Sequence, residues 1–188
     1  IIKGSFLFNF FLLICFLVAS YEWFMMSKKK NYHIPGHIFL IFSFYSTFFL
    51  RNNLEEKSLI IFMLIIIVCI STDIGGYIFG NVFKGPKLTK ISPKKTKSGS
   101  LGSMLFSGVF FSIGIFYLTN TINIKIVLIG LLTSIICQIG DLFFSFLKRK
   151  SNVKDTGNFF PGHGGVLDRL DGILIGLPLG YFGFILFY

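Results

Sequence analysis

Residues 58–80, Ser58-Leu-Ile-Ile-Phe-Met-Leu-Ile-Ile-Ile-Val-Cys-Ile-Ser-Thr-Asp73-Ile-Gly-Gly76-Tyr77-Ile-Phe-Gly80, decide the fold. From Leu59 to Ile70 there is no polar side chain, and Asp73 is the single charge of the stretch. About 20 such residues in a helix cross the roughly 30 Å hydrocarbon core of a bilayer. Working outward, comparable stretches fall at Gly4–Met26, Ile34–Leu50, Leu101–Leu118, Ile124–Leu147 and Val166–Tyr188. The sequence therefore predicts an all-α, polytopic integral membrane bundle of six helices joined by short loops. Composition agrees: of 188 residues, 53% are hydrophobic and 14% charged, with 26 Phe, and the mean hydropathy is +0.76. Soluble domains carry about 45–50% apolar and about 25% charged residues, so a disordered chain, a collagen-like chain and a small disulfide-stapled domain are excluded.

The whole of 1–188 reads as one membrane domain, with N-terminal helices in 1–57 and catalytic helices and loops in 58–188. The first span is too long for a signal peptide and lacks a small-residue cleavage site before Glu22-Trp23, so it is a membrane helix. The second, opening at Pro35-Gly36, is short enough to be tilted, kinked or partly re-entrant. The missing initial Met suggests truncation or further upstream helices. Cys15, Cys69 and Cys137 sit in apolar runs as small hydrophobes, and the three His form no zinc constellation.

Charge sets the sidedness. Lys28, Lys29 and Lys30 fall in the first loop, Lys84, Lys87, Lys90, Lys94, Lys95 and Lys97 in the third, and Lys148, Arg149, Lys150 and Lys154 in the fifth. The alternate side holds Lys3, Arg51, Lys57 and Lys125, so the positive-inside rule puts the odd loops in the cytoplasm and both chain ends outside.

An ionised carboxylate at bilayer depth costs about 2.5–3.5 kcal/mol and needs a partner, a wet cavity or a cation. Ser134, Gln138, Asp141, Ser145 and Lys148 recur at helical spacing and line one face of the fifth helix, with Asp141 roughly 10 Å below Lys148. That stripe is either helix glue or a functional surface. Asp73 shares a face with Gly76, Tyr77 and Gly80, which reads equally as a packing seam or a ligand position. Asp168 and Asp171 share a face of the sixth helix. Neither Asp141 nor Asp168 has an obvious ion-pair partner apart from Arg169. Glu22, beside Trp23, is expected at the membrane interface.

The loops carry polar groups that topology does not require. Gly80 and Gly85 have Walker A separation, but Pro86 follows where Lys is needed, and GxGxxG is absent. What remains is Ile91-Ser92-Pro93-Lys94-Lys95-Thr96, and His163-Gly164-Gly165 ahead of Val166, whose helix would turn its positive end to an anion. Lys and Arg supply countercharge for phosphate, and paired carboxylates suit Mg²⁺.

The run Ser145-Phe-Leu-Lys148-Arg149-Lys-Ser-Asn-Val-Lys154-Asp155-Thr-Gly157-Asn-Phe-Phe160-Pro161-Gly-His163-Gly164-Gly165-Val166-Leu-Asp168-Arg169-Leu170-Asp171 resembles the C-terminal signature of the phosphatidate cytidylyltransferases, or CDP-diacylglycerol synthases. Asp73, Tyr77, Gly80, Leu88, Ile91 to Thr96 and Gly99 resemble the family's other polar block. Asn81 departs from an Arg expected there, and Ser98 from an acidic residue.

The resemblance implies transfer of a cytidylyl group from CTP to phosphatidic acid, giving CDP-diacylglycerol and pyrophosphate, with Mg²⁺ as cofactor. It implies metal ligation by Asp141 and Asp168, with Asp171 and Asp73 as second choices. The catalytic set it implies is Asp141, Asp168, Lys148, Arg149, Lys154 and Asp155. The substrate-binding set is Asp73, Tyr77, Ser92, Lys94, Lys95, Thr96, Ser145, His163, Gly164, Gly165, Arg169 and Asp171. The expected partners are CTP, phosphatidic acid and membrane lipids, with a homodimer as a further candidate and no nucleic acid. The expected location is the cytoplasmic (inner) membrane of a bacterium, with the site facing the cytoplasm. The competing readings are a CTP-using polyprenol or dolichol kinase-like enzyme and, from another class, a cation-coupled transporter. A transporter would not require two Lys-rich loops and would show an inverted repeat. A CDP-alcohol phosphotransferase is disfavoured because Ile173 and Leu174 follow Asp171-Gly172.

Overall fold

The structure, a computed structural model, describes residues 6–52, 56–120, 124–162 and 164–187. Six helices follow one another: α1 (Phe6–Ser27), α2 (His33–Asn52), α3 (Glu56–Phe83), α4 (Lys97–Thr119), α5 (Ile124–Lys150) and α6 (Leu167–Phe187). Each contains a stretch long and apolar enough to cross a membrane. Among the described residues there is no strand, only isolated bridges Lys87–Thr96 and Phe160–Gly164 that pin the two long loops.

The second span, read as short enough to be tilted, kinked or partly re-entrant, is one continuous helix. Pro35 falls in the first turn of α2, where a missing N–H leaves no helical acceptor unpaired, and α2 runs on for 20 residues. Gly36 is required by close approach: a β-carbon there would overlap the Trp23 ring. Trp23 in turn donates from Nε1 to the carbonyl of His33 at 3.0 Å, closing the α1–α2 hairpin.

The hairpins α3–α4 and α5–α6 form the most closely associated pairs, and α1 lies at the periphery against α2. Between α3 and α4, a β-carbon on Gly99 would come within 2.8 Å of the Gly76 carbonyl, so small side chains let the backbones meet. Ser103 donates across this seam to the Thr72 carbonyl at 2.7 Å. Two apolar clusters fill the bundle. One joins α3 to α6 through Ile65, Phe111, Cys137 and Leu177; the other ties α1 and α2 to α5 and α6 through Trp23, Leu40, Phe144 and Leu167.

Pro178, inside α6, removes the N–H that would have bonded the Leu174 carbonyl. Ser43 of α2 supplies the substitute, donating to that carbonyl at 2.6 Å. With no water at bilayer depth, such a replacement is what makes a mid-helix Pro tolerable, and it fastens α2 to α6.

Candidate functional site

The C-terminal ends of α3 and α5 and the N-terminal ends of α4 and α6 bring loops 84–96 and 151–166 to one end of the bundle. Two polar centres lie there.

The first is a cleft of roughly 270 Å³ between α3, α4 and α5, roofed by the first of these loops. Asp73, Tyr77, Ser92, Lys94, Lys95, Thr96 and Asp141, all expected on substrate or metal, line it together with Gln138. Lys95 forms an ion pair with Asp141, and each side chain keeps 29% of its surface exposed. Ser100 donates to Gln138 Oε1 at 2.5 Å, so the α5 stripe is turned towards α4 and the cleft. Deeper on the same stripe, Ser134 accepts from Thr72 at 2.8 Å. The stripe is thus glue at its buried part and a lining surface at Asp141. Asp73 likewise combines both readings, exposed on the cleft while Gly76 packs on α4. Thr96 is the N-cap of α4, accepting from Gly99 N at 3.1 Å, so one hydroxyl both starts the helix and borders the cleft. Ser145 Oγ lies 3.5 Å from Asp141 Oδ1.

The second centre is a knot of charges where α5 meets α6. Lys148 Nζ is 2.8 Å from Asp168 Oδ1 and 3.6 Å from Asp171 Oδ2. Asp168 Oδ2 accepts from Thr156 N at 2.8 Å and from Gly165 N at 2.9 Å. Both oxygens of Asp168 are therefore engaged. Gly164 sits at φ +86°, which favours glycine, and a β-carbon on Gly165 would run into the Glu22 carboxylate. The Gly-Gly pair thus lets the chain close around two buried acids.

Three expectations change here. The acids do have ion-pair partners: Lys95 for Asp141 and Lys148 for Asp168, brought from distant sequence. The positive end of α6 holds a protein carboxylate: Val166 N and Leu167 N donate to Glu22 at 2.9 and 2.8 Å. Glu22, expected at the membrane interface, is accordingly buried within the protein against loop 151–166, 4% exposed. Its signal was present in the sequence, since a lone acid in an apolar helix demands a partner. Arg149, Lys154, Asp155 and Arg169 are exposed around the knot, Arg149 donating to the Val153 carbonyl at 3.0 Å. His163 lies outside the described residues.

Among the described residues no three His, Cys, Asp or Glu side chains form a metal cage. Mg²⁺ does not require one, because it keeps several waters and takes one or two carboxylates plus substrate phosphates. Asp141 fits that requirement as a part-exposed hard oxygen donor on an open cleft.

Fold and site together define an integral membrane protein with a cation- and carboxylate-lined cleft suited to phosphate chemistry. The chain belongs to the cytidylyltransferase family, whose sequence pattern matches residues 38–187. It is 38% identical over 172 residues to the phosphatidate cytidylyltransferase of Rickettsia felis, covering 86% of this chain and 74% of that protein. It is 40% identical over 140 residues to the phosphatidate cytidylyltransferase of Bacillus subtilis, covering 72% of this chain and 51% of the other. Against that of Synechocystis the identity is 44% over 116 residues, or 60% and 39% of the two chains.

Proposed function

We propose that this chain joins CTP to phosphatidic acid, giving CDP-diacylglycerol and pyrophosphate, in the cleft between α3, α4 and α5. The observation that carries the proposal is the meeting of Lys94, Lys95, Asp73 and Asp141 around one open volume in a chain of this family. The relatives named phosphatidate cytidylyltransferase support the substrate pair.

A phosphate monoester is already an anion at neutral pH, so the lipid needs no general base. Its oxygen attacks the α-phosphorus of CTP, the new P–O bond forms in line, and the bond to the β-phosphate breaks to release pyrophosphate. Lys94 and Lys95 neutralise the converging phosphates. For Lys95 this means exchanging Asp141 for substrate oxygen. Asp141 is then left free to hold Mg²⁺, and Asp168 would join it only by giving up Lys148. The chemistry the ion supplies when bound is neutralisation of the clustered phosphates and of the leaving group.

The basic loops face the cytoplasm of a bacterial inner membrane in this reading, where a cytosolic triphosphate and an inner-leaflet lipid meet, and the exposed apolar faces of α1 and α2 contact membrane lipid. Single cysteines at Lys94 and Lys125, in a background lacking the native thiols, test the orientation: only the second should label from outside.

The reaction is tested with purified protein in detergent, CTP labelled in its cytosine ring, phosphatidic acid and Mg²⁺. Label should enter the lipid as pyrophosphate appears. Release of CDP from CTP and diacylglycerol, with no labelled lipid, would establish the kinase reading instead.

A further inference from the structure

We propose that Glu22 of α1 is a positioning residue of the transferase site, holding residues 156–162 and 164–168 in their working arrangement. The inference rests on the activity proposed above. Glu22 lies before the start of the family pattern at residue 38, yet it reaches the signature loop.

Its carboxylate accepts three hydrogen bonds: from Val166 N at 2.9 Å, Leu167 N at 2.8 Å and the Thr156 hydroxyl at 3.0 Å. Thr156 N and Gly165 N meanwhile donate to Asp168. The loop is therefore gripped at both ends between two carboxylates, one on α1 and one on α6, with Thr156 touching both. A β-carbon on Gly157 would sit 2.7 Å from Glu22 Oε1, so the chain is closed on Glu22 from this side as well. Every partner is a donor, which an acceptor-only carboxylate satisfies in full and an amide does not. Among the described residues Glu22 forms no ion pair, and the N-terminal dipole of α6 is its countercharge. The segment so held follows directly on the exposed Lys154 and Asp155 and ends at Asp168, the partner of Lys148.

Glu22→Gln keeps the volume and turns one acceptor into a donor facing donors. In the full-length chain in detergent, amide exchange across residues 156–167 should quicken at least tenfold, while peptides from α3 and α4 stay unchanged. The KM for phosphatidic acid should rise at least fivefold, with that for CTP unmoved, at an unchanged folded fraction, a shift that partial unfolding would not produce. Thr156→Val, which removes one donor and keeps the backbone N–H on Asp168, should act in the same direction more weakly. Combined with Glu22→Gln it should add little. If Glu22→Gln does not fold, Thr156→Val carries both measurements. Wild-type exchange across the loop in the variant, or faster exchange with unchanged KM for phosphatidic acid, would overturn the proposal. A wild-type protein that forms no labelled lipid would overturn the assigned activity, and the exchange comparison alone would then decide whether Glu22 holds the loop.

Discussion

The cleft and the knot are built from the same ingredients, lysines and aspartates at the same end of the bundle, yet they differ in what is left open. In the cleft, Lys95 and Asp141 each retain 29% of their side-chain surface beside an unfilled volume. In the knot, Lys148 and Asp168 retain 11% and 6%, and every Asp168 oxygen has a protein donor. A part-exposed pair can exchange partners at little cost, whereas a buried one cannot lose either member cheaply. The difference teaches that a charged motif is not uniformly an open surface: one half faces an unfilled volume and the other braces the backbone beside it.

The largest effect should separate the two aspartates. Asp168→Asn leaves Lys148 only its longer contact to Asp171 and disturbs the acceptor of Thr156 N and Gly165 N in a buried setting, and should cost about 3 kcal/mol of stability, read as a fall in the detergent melting temperature. Asp141→Asn should cost under about 1 kcal/mol by the same measurement, while lowering turnover by roughly 10²–10³-fold, the scale of one lost electrostatic contact in the transition state, because the carboxylate that would hold Mg²⁺ is gone. Equal destabilisation by both changes would break the comparison.

Two glycines sharpen it at a smaller scale. Gly165→Ala pushes a methyl into the Glu22 carboxylate and should destabilise by about 1–3 kcal/mol. Gly162→Ala meets nothing within 4 Å and bears only the strain of φ +75°, about 1–2 kcal/mol. Melting curves of the two variants should rank in that order.

The smallest stability effect belongs to the cleft rim. Lys94→Ala removes an exposed side chain, so melting should shift by under about 0.5 kcal/mol. The KM for CTP should nevertheless rise by roughly tenfold, the worth of one charge-assisted hydrogen bond. Initial rates across CTP concentrations check it.

Much of this was legible in the residues. Each apolar span became a helix, because length and hydropathy are local properties. The α5 stripe from Ser134 to Lys148 was correctly placed on one face, since spacing alone determines it. What spacing cannot carry is which face meets which. Lys95 and Asp141 are 46 positions apart, and Glu22 and Val166 are 144 apart, so their pairing follows from how hairpins pack. The positive end of α6 was read as an anion site on sound local grounds. The anion came from within the chain, on a helix whose other contacts are almost all apolar or with α2. The second span looked short because its apolar run, Ile34–Leu50, is shorter than the helix, which runs from His33 to Asn52 with Pro35 accommodated in its first turn.

The central claim is that the nucleotide binds in the α3–α4–α5 cleft and not on the α5–α6 knot. It is tested by thiol protection in the chain freed of its native cysteines, with one cysteine introduced at Ser92 in the cleft and, separately, one at Asn158 on the exposed second loop. With Mg²⁺ present, saturating CTP should slow modification at Ser92→Cys at least tenfold and leave Asn158→Cys unchanged. Protection at Asn158→Cys with none at Ser92→Cys would contradict the account.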